Sequence, residues 1–208
     1  MSIAATPTRC RLARWLMLLC GFSAGCMSGP DGGNEHDTVA RQIEICHGYS
    51  CKYTSKLPLG SADAHRFAAI LASGQKSPPA ERAAIGRAVS YFEDRTFGVI
   101  GVRDSPKSKF GAFGVRGQMD CIDESTNTRA LLLYLEDLNL LRHHTVTRNA
   151  SRGMLIDGRY FHNTAVVRES SGVKWAVDSW YAPMGSNPDI LLLSDWMARG
   201  FWFRSSPP

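Results

Sequence analysis

Cys121 lies where a loop ends and the most strongly helical segment of the sequence begins. The loop 117–120 opens with a glycine, and between Thr128 and Leu141 the chain is rich in leucine and contains neither proline nor glycine. This composition predicts a buried helix of about five turns with its N-terminus near Cys121. A thiol there lies close to the positive end of the helix dipole and to unpaired N–H groups, and both lower the pKa of a cysteine. The position predicts a nucleophilic thiolate, with a buried structural cysteine as the alternative.

His162 and Asp178 are the residues that could activate such a thiol. Residues 159–168 are rich in β-branched and aromatic side chains, which predicts a strand with His162 near its beginning. The segment 169–172 is typical of a hairpin turn, and residues 173–180 predict an antiparallel return strand that carries Asp178 near its end. Strand pairing would then place the carboxylate near the imidazole, where it could fix the tautomer and orientation of the ring. The three residues are the predicted catalytic triad.

Three short motifs carry a family resemblance. DCID at 120–123, HNTAVV at 162–167 and WAVDSW at 175–180 resemble the transglutaminase-like cysteine hydrolase superfamily. They are most similar to its bacterial transglutaminase-like cysteine proteinases, which are periplasmic enzymes and include a protease that cuts biofilm adhesins. The resemblance implies an α+β papain-like fold in which the catalytic helix packs on an antiparallel sheet. It also implies acyl transfer through a thioester.

The resemblance extends to polar residues around the cysteine. Related enzymes place an oxyanion donor upstream, so the Gln118 amide would assist the Cys121 backbone N–H, unless it is a simple polar loop residue. Asp120 and Asp123 match positions where the adhesin-cleaving proteinases bind calcium, which would neutralise acidic groups beside a thiolate. The alternative is that both aspartates cap the helix. The chemistry itself requires no cofactor.

The first 25 residues are predicted to be a signal peptide. Three arginines precede the apolar segment 15–22, which is too short to span a bilayer. SAGC at 23–26 resembles a bacterial lipobox, so Cys26 is the predicted lipidation site, with ordinary signal cleavage as the alternative. The small, polar residues of segment 26–40 predict a flexible tether, and 41–208 is the predicted catalytic domain.

Composition restricts the possible functions. The 208 residues are 44% hydrophobic and 21% charged, enough for one globular domain with a sizeable core. Because the signal contains three arginines and no acidic residue, its removal leaves 21 basic and 19 acidic residues, a formal charge of +2. This balance, without a basic stripe or an aromatic–basic stacking motif, predicts no nucleic-acid role.

Cysteine usage agrees with export. Loss of the signal and acylation of Cys26 would leave Cys46, Cys51 and Cys121 in the domain. An oxidising envelope permits a disulfide between Cys46 and Cys51, which would close a small loop and leave Cys121 free. The competing interpretation, a metal site of Cys46, His47 and Cys51, lacks a fourth ligand.

Other segments are predicted to surround the triad. Ser61 and Ser77 are each expected to cap a core-packing helix, and residues 96–116 to form a loop system that leads to the active site. His143 and His144 follow the catalytic helix and are expected on the surface. Residues 188–203 contain several aromatics, so they are expected to form a helix or strand that covers the core.

The sequence thus predicts an exported thiol hydrolase, a cysteine protease or amidase that acts on a protein or peptide substrate. Its expected place is the periplasmic side of the bacterial cell envelope, anchored to a membrane by lipid. Two alternatives remain at this point. One is a protein-glutamine acyltransferase, in which an amine instead of water resolves the thioester. The other is an envelope lipoprotein that keeps the fold and binds without catalysis.

Overall fold

A computed structural model describes residues 41–153 and 161–199, all of which belong to the unit Asp37–Pro208. The predicted signal peptide, the lipidation site Cys26 and the tether lie outside these residues. The described ranges contain four helices and seven strands. In chain order they are β1 (Arg41–His47), β2 (Tyr53–Leu59), α1 (Ser61–Ala72), α2 (Pro78–Ile100), α3 (Cys121–Asp137), β3 (His144–Val146), β4 (Ala150–Arg152), β5 (His162–Glu169), β6 (Lys174–Asp178), β7 (Asp189–Leu192) and α4 (Leu193–Ala198).

The fold is α+β, which confirms the predicted class. Every strand pair in the described residues is antiparallel. One sheet is the hairpin β1–β2, which the sequence did not predict. The other runs in the order β3-β5-β6-β7, with β4 also paired to β5. Helices and antiparallel strands thus share one core.

The helix α3 begins at Cys121 because Asp120 caps it. The Asp120 side chain accepts hydrogen bonds from the backbone N–H groups of Ile122 (3.0 Å) and Asp123 (2.9 Å), and the Asp123 side chain accepts one from the Asp120 N–H (3.3 Å). This reciprocal pairing is a capping box, which satisfies N–H groups that a helix start leaves unpaired.

The predicted end of α3 was wrong. The helix ends at Asp137 instead of continuing through Leu141. Asn139 has a φ of 55°, and a residue in this left-handed region cannot continue a right-handed helix. The leucines beyond it, Leu140 and Leu141, still pack against the core as part of a loop. Apolar composition predicted the burial of this segment correctly but not its backbone.

The interior of α3 forms the centre of the molecule. Leu131, Leu132 and Leu135 are fully buried and belong to one apolar cluster with residues from α2 and the large sheet. Burial of a leucine side chain contributes roughly 1.5–3 kcal/mol, so this cluster is the main force that holds α3 in place. Cys121, the first residue of α3, is therefore positioned by a helix that packs into the core.

The hairpin β5–β6 forms as predicted. Ala165 pairs with Val177, the residue before Asp178, so His162 and Asp178 lie diagonally across neighbouring strands. Side chains in this relation are close enough to contact each other when one is long. The strand β7 then pairs with β6, and α4 follows directly, so residues 189–198 contain both a strand and a helix.

The prediction for His144 was wrong. Its side chain is buried, and its Nδ1 lies 2.7 Å from Glu81, a buried carboxylate on α2. Glu81 also accepts hydrogen bonds from the backbone N–H groups of Arg142 (2.5 Å) and His143 (2.8 Å). Because α3 ends early, His144 starts β3 and faces α2 instead of solvent. A sequence alone does not show a buried acidic partner at this distance along the chain.

No helix within the described ranges is both long and apolar enough to cross a bilayer.

Candidate active site

Cys121 occupies the first position of α3 and is 8% exposed. Its Sγ lies 4.0 Å from the Phe161 carbonyl oxygen and accepts a hydrogen bond from the backbone N–H of Asn163. Phe161 and Asn163 are the residues on either side of His162. The structure therefore places the thiol against the start of β5, where the sequence predicts its base.

The thiol is not ionised by its surroundings alone. Burial raises the pKa of Cys121 to about 11, and the nearby charges of Asp120 and Asp178 oppose ionisation further, although the Asn163 N–H favours the thiolate. The direction is opposite to the lowered pKa expected at a helix N-terminus, because burial, the largest cause, disfavours the charged thiolate. A thiolate here needs a cation as partner.

His162 and Asp178 form a buried pair. His162 Nε2 lies 2.8 Å from Asp178 Oδ2, and His162 is only 1% exposed. Asp178 is an acceptor when ionised, so Nε2 carries the proton and donates it to the carboxylate. This fixes the tautomer in which Nδ1 is unprotonated. The Nδ1 atom is itself buried and has no hydrogen-bond partner among the described residues, Cys121 Sγ included.

Two tryptophans hold the Asp178 carboxylate from its other sides. The indole Nε1 of Trp196, on α4, donates to Oδ2 at 2.7 Å, and the Trp180 backbone N–H donates to Oδ1 at 3.3 Å. Hydrogen bonds to a carboxylate favour its charged form and fix its orientation. Trp196 was missed by sequence reasoning, because only its aromatic character predicted burial and nothing indicated its partner.

Aromatic rings enclose the imidazole. The centroid of the His162 ring lies 4.6 Å from that of Trp180 and 5.5 Å from those of Tyr181 and Trp196. Such a cage keeps water away from the ring and strengthens the hydrogen bond to Asp178 by lowering the local dielectric constant. The polar atoms of the enclosed imidazole are its two nitrogens. Nε2 donates to Asp178, and Nδ1 is left for another partner.

Arg152 lies behind this cage and was also missed. It pairs with His162 across β4 and β5, is buried, and donates through Nη2 to the Tyr181 hydroxyl at 3.0 Å. Its guanidinium lies 4.6 Å from the centre of the Trp196 ring. Arg152 therefore supports two rings of the cage. Its short strand carries no sequence pattern that would have predicted this position.

Gln118 makes different contacts from those that an oxyanion donor needs. Its side-chain Nε2 donates to the Arg103 carbonyl at 3.3 Å, and its backbone carbonyl accepts from the Gly48 N–H at 2.6 Å. Among the hydrogen bonds of the described residues, none joins its amide to Cys121. The oxyanion role of Gln118 stays a prediction that requires this amide to turn.

The Cys46–Cys51 disulfide forms and closes a tight loop. Gly48, Tyr49, Ser50 and Cys51 all have positive φ, so four consecutive residues lie in the left-handed region. The ring of His47 contacts the Ser55 hydroxyl (3.0 Å) and the Gly117 N–H (3.3 Å). The cysteines are thus joined to each other, which leaves the competing metal site without its thiolates.

Backbone N–H groups of this disulfide loop donate hydrogen bonds to the aspartates beside Cys121. The Asp123 carboxylate accepts hydrogen bonds from the backbone N–H groups of Tyr49 (2.8 Å) and Cys51 (2.5 Å), and Asp120 accepts from that of Ser50 (3.0 Å). Burial raises the pKa of Asp123 to about 6. The disulfide loop and the N-terminus of α3 are therefore one hydrogen-bonded unit.

The surroundings of Asp120 and Asp123 do not fit calcium. A calcium ion takes six to eight oxygen ligands. Here the carboxylates face backbone N–H groups, whose hydrogens carry the same sign of charge as the cation. The only group of three candidate ligand residues in the described part of the chain is Cys46, Cys51 and Asp123, and two of these form the disulfide. Helix capping is the role that these contacts support.

Buried carboxyl groups lie behind the site. Glu124, one residue after Asp123, accepts a hydrogen bond from the Ser179 hydroxyl, and its side chain also contacts Asp104. Burial, and then the charge of Glu93, raises the pKa of Glu124 well above its usual value. Burial likewise raises the pKa of Glu93 to about 8 and that of Asp104 to about 6. We call Glu93, Asp104 and Glu124 the carboxyl cluster.

The carboxyl cluster connects the segments that carry Cys121 and Asp178. Asp104 accepts from the Met119 N–H at 2.8 Å, two residues before Cys121, and Ser179 directly follows Asp178. Glu93 accepts from the Gly185 N–H at 2.5 Å. The cluster therefore ties α2, the loop before α3 and the loop after β6 together, and burial favours the protonated form of its members.

Comparisons with protein-family models, with curated proteins and with solved structures give no match to this chain. Its function is consequently inferred from the site and from the sequence motifs.

Proposed function

We propose that this chain is an exported thiol hydrolase, a cysteine protease or amidase with a transglutaminase-like arrangement on a papain-like core. Its substrate would be a protein or peptide of the bacterial cell envelope. The observation that carries the proposal is the state of His162. One ring nitrogen lies 2.8 Å from Asp178, and the other is buried and has no hydrogen-bond partner among the described residues. The residues directly before and after His162 both contact Cys121 Sγ.

The first half of the reaction forms a thioester. The Cys121 thiol proton passes to His162 Nδ1, and the sulfur attacks the carbonyl carbon of the substrate amide. Asp178 stabilises the imidazolium that results, because its negatively charged carboxylate accepts a hydrogen bond from the Nε2–H group. The imidazolium then protonates the leaving nitrogen, the C–N bond breaks, and the amine departs.

The second half regenerates the enzyme. Neutral His162 takes a proton from water, the hydroxide attacks the thioester carbonyl, and the C–S bond breaks as the thiolate recovers its proton from the imidazolium. If a primary amine replaced water, the same steps would transfer the acyl group and make the enzyme a transglutaminase. We favour hydrolysis because the sequence motifs are most similar to those of the proteinases.

The proposal is tested by comparing envelope proteins from cells that produce the active chain or the Cys121→Ala variant. Hydrolysis should yield new protein termini that appear only with the active chain. A biotinylated primary amine, added in a parallel sample, should not be incorporated. Incorporation that depends on Cys121 would make the chain an acyltransferase, and identical samples with both variants would argue against catalysis.

The proposed location rests on the sequence alone. Lipidation at Cys26 would confine the catalytic domain to a membrane surface, with segment 26–40 as tether. A Cys26→Ser variant should leave the membrane fraction and appear in the soluble envelope fraction. An unchanged membrane pool would remove lipid from the proposal.

A further inference from the structure

The loop between α2 and α3 carries an exposed surface that is both basic and aromatic. Phe110 and Phe113 are 110% and 67% exposed, so the Phe110 ring lies fully in solvent and the Phe113 ring mostly so. Lys107, Lys109 and Arg116 are exposed in the same loop, and Lys52 lies with its Nζ 4.7 Å from the centre of the Phe113 ring. We call these six residues the basic rim. Exposed aromatic groups of this size indicate a binding surface.

The cations of the basic rim have no acidic partner among residues 41–153 and 161–199. None of Lys52, Lys107, Lys109 and Arg116 takes part in an ion pair with another described residue. The acidic groups closest in sequence are engaged elsewhere. Asp104 is buried in the carboxyl cluster, and Asp120 accepts hydrogen bonds from Ser50, Ile122 and Asp123. The positive charge of the rim is therefore available to a partner.

Hydrogen bonds join the basic rim to the candidate active site. The Lys107 N–H donates to the Trp180 carbonyl at 2.8 Å, and Trp180 Nε1 donates to the Ser108 hydroxyl at 3.1 Å. The Lys107 Nζ lies 5.7 Å from the centre of the Tyr181 ring. Trp180 and Tyr181 are two of the three rings that enclose His162, so the basic rim directly contacts the aromatic cage of the proposed base.

Phe161 adds an exposed apolar side chain close to the site. It is 55% exposed, and its backbone carbonyl oxygen lies 4.0 Å from Cys121 Sγ. A substrate with apolar side chains near the bond to be cleaved would bury this ring.

We propose that the basic rim is the substrate-docking surface, and that it selects an extended acidic polypeptide segment with apolar side chains near the bond to be cleaved. This inference rests on the proposed function and names the substrate class for the same site. Charge complementarity supplies the preference, and the exposed rings supply apolar contact. An anionic membrane has a related chemistry, but a bilayer on this surface would cover Cys121. A polypeptide fits because it can enter the site while it contacts the rim.

The test measures binding to the full chain carrying Cys121→Ala, which keeps the surface and cannot turn over. Fluorescent peptides of one length and one phenylalanine content, with acidic, neutral or basic residues elsewhere, are titrated at low and at physiological salt. We expect the acidic peptide to bind best and its advantage to shrink with salt. Adding Lys107→Glu and Lys109→Glu should weaken acidic-peptide binding by about tenfold or more, because two attractions become repulsions.

A matched control separates this surface from overall charge. Lys76 and Lys174 are exposed lysines in other parts of the fold, and their change to glutamate alters the net charge by the same amount. This variant should retain the preference. The neutral variant Lys107→Gln with Lys109→Gln should lie between the original chain and the glutamate variant, and thermal unfolding checks that each one is folded.

Three results would overturn the inference. They are equal affinity for all peptides, equal loss in the control variant, and rim-dependent binding to vesicles containing phosphatidylglycerol without binding to the peptides. Failure of the proposed function is recognised separately, by the pH dependence of Cys121 alkylation in the active chain and in His162→Ala. If that pH dependence shows a working triad while the acidic peptide shows no preference, only the docking inference fails.

Discussion

The two ring nitrogens of His162 have different surroundings, which fixes the side on which the imidazole can accept a proton. Nε2 donates to Asp178, and Nδ1 has no hydrogen-bond partner among the described residues. An unpaired buried nitrogen costs free energy, which is tolerated where the atom has a use in the reaction. The proposed proton transfer from Cys121 therefore depends on the tautomer that Asp178 imposes on His162.

Asp178→Asn tests this tautomer. An asparagine amide can donate to Nε2, which would move the proton to Nδ1 and leave no base for the thiol. We expect peptide hydrolysis to fall by about 10³–10⁴-fold, as for other triads in which the carboxylate becomes an amide. Asp195→Asn changes an exposed aspartate on α4 and should have no effect. Full activity of Asp178→Asn would show that Asp178 does not orient the base.

Trp196→Phe tests the second donor to Asp178. The substitution keeps an aromatic ring and removes the indole N–H that lies 2.7 Å from Oδ2. Loss of a hydrogen bond to a charged group costs about 1.5–3 kcal/mol, so we expect a decrease of roughly tenfold or more in the hydrolysis rate. Trp175→Phe is the matched control, because the Trp175 indole N–H has no partner among the described residues. Equal rates in both variants would remove Trp196 from the site.

At the scale of elements, the disulfide loop and the start of α3 stabilise each other. Three backbone N–H groups of the loop donate to Asp120 and Asp123, the same residues that cap α3. Residues with positive φ would relax if the disulfide opened, because most side chains disfavour this region. The hydrogen bonds from this loop therefore help to fix the backbone at Cys121, in addition to the contacts within the helix.

Replacing Cys46 and Cys51 by serine should destabilise the chain and its site together. Closing a loop of this length contributes about 2 kcal/mol. We expect the free energy of urea unfolding to fall by about that amount and the alkylation of Cys121 to change rate. Ser55→Ala, which removes one contact of His47, provides a control that keeps the disulfide. Unchanged stability and reactivity would show that the loop is not coupled to α3.

Calcium should not bind to Asp120 and Asp123 in place of the N–H groups of the disulfide loop. The oxygens of Asp120 and Asp123 face N–H donors, so a cation would first have to displace the disulfide loop. We expect neither calcium nor a chelator to shift the midpoint of thermal unfolding, and calorimetry to detect no binding. A calcium-dependent rise in the midpoint that Asp123→Asn abolishes would restore the predicted metal site.

Local patterns predicted some elements and missed others for physical reasons. Asp120 and the leucines that follow predicted the start and burial of α3, and the turn 169–172 predicted the hairpin β5–β6. Both signals lie within a few residues. The early end of α3 depends on one left-handed asparagine, and the partners of Trp196 and His144 are distant in sequence. Contacts of that kind leave no trace in local periodicity.

At the scale of the whole molecule, the carboxyl cluster makes stability depend on pH. Burial raises the pKa of Glu93 to about 8 and that of Asp104 to about 6. Between the ordinary carboxyl pKa and these values, the folded chain binds more protons than the unfolded chain. The contribution of the cluster to the free energy of unfolding therefore falls as pH rises from about 4.5 to about 8.

Glu93→Gln isolates this effect. The amide oxygen can still accept from the Gly185 N–H, but the group no longer has to be protonated. At pH 8.5 the variant should be more stable than the original chain by an amount on the order of a few kcal/mol, and this advantage should shrink toward pH 5. Asp195→Asn changes an exposed carboxylate on α4, away from the carboxyl cluster, and should show no comparable trend. An advantage that did not vary with pH would contradict the raised pKa.

The most direct test of the central claim is the rate of Cys121 alkylation by iodoacetamide as a function of pH, in the active chain and in His162→Ala. Burial raises the pKa of the Cys121 thiol to about 11, so the proposed reaction needs proton transfer to His162 to form a thiolate at neutral pH. We expect the active chain to react rapidly from about pH 6 upward and His162→Ala to react only in the alkaline range. Identical pH profiles in the two proteins would contradict a catalytic pair.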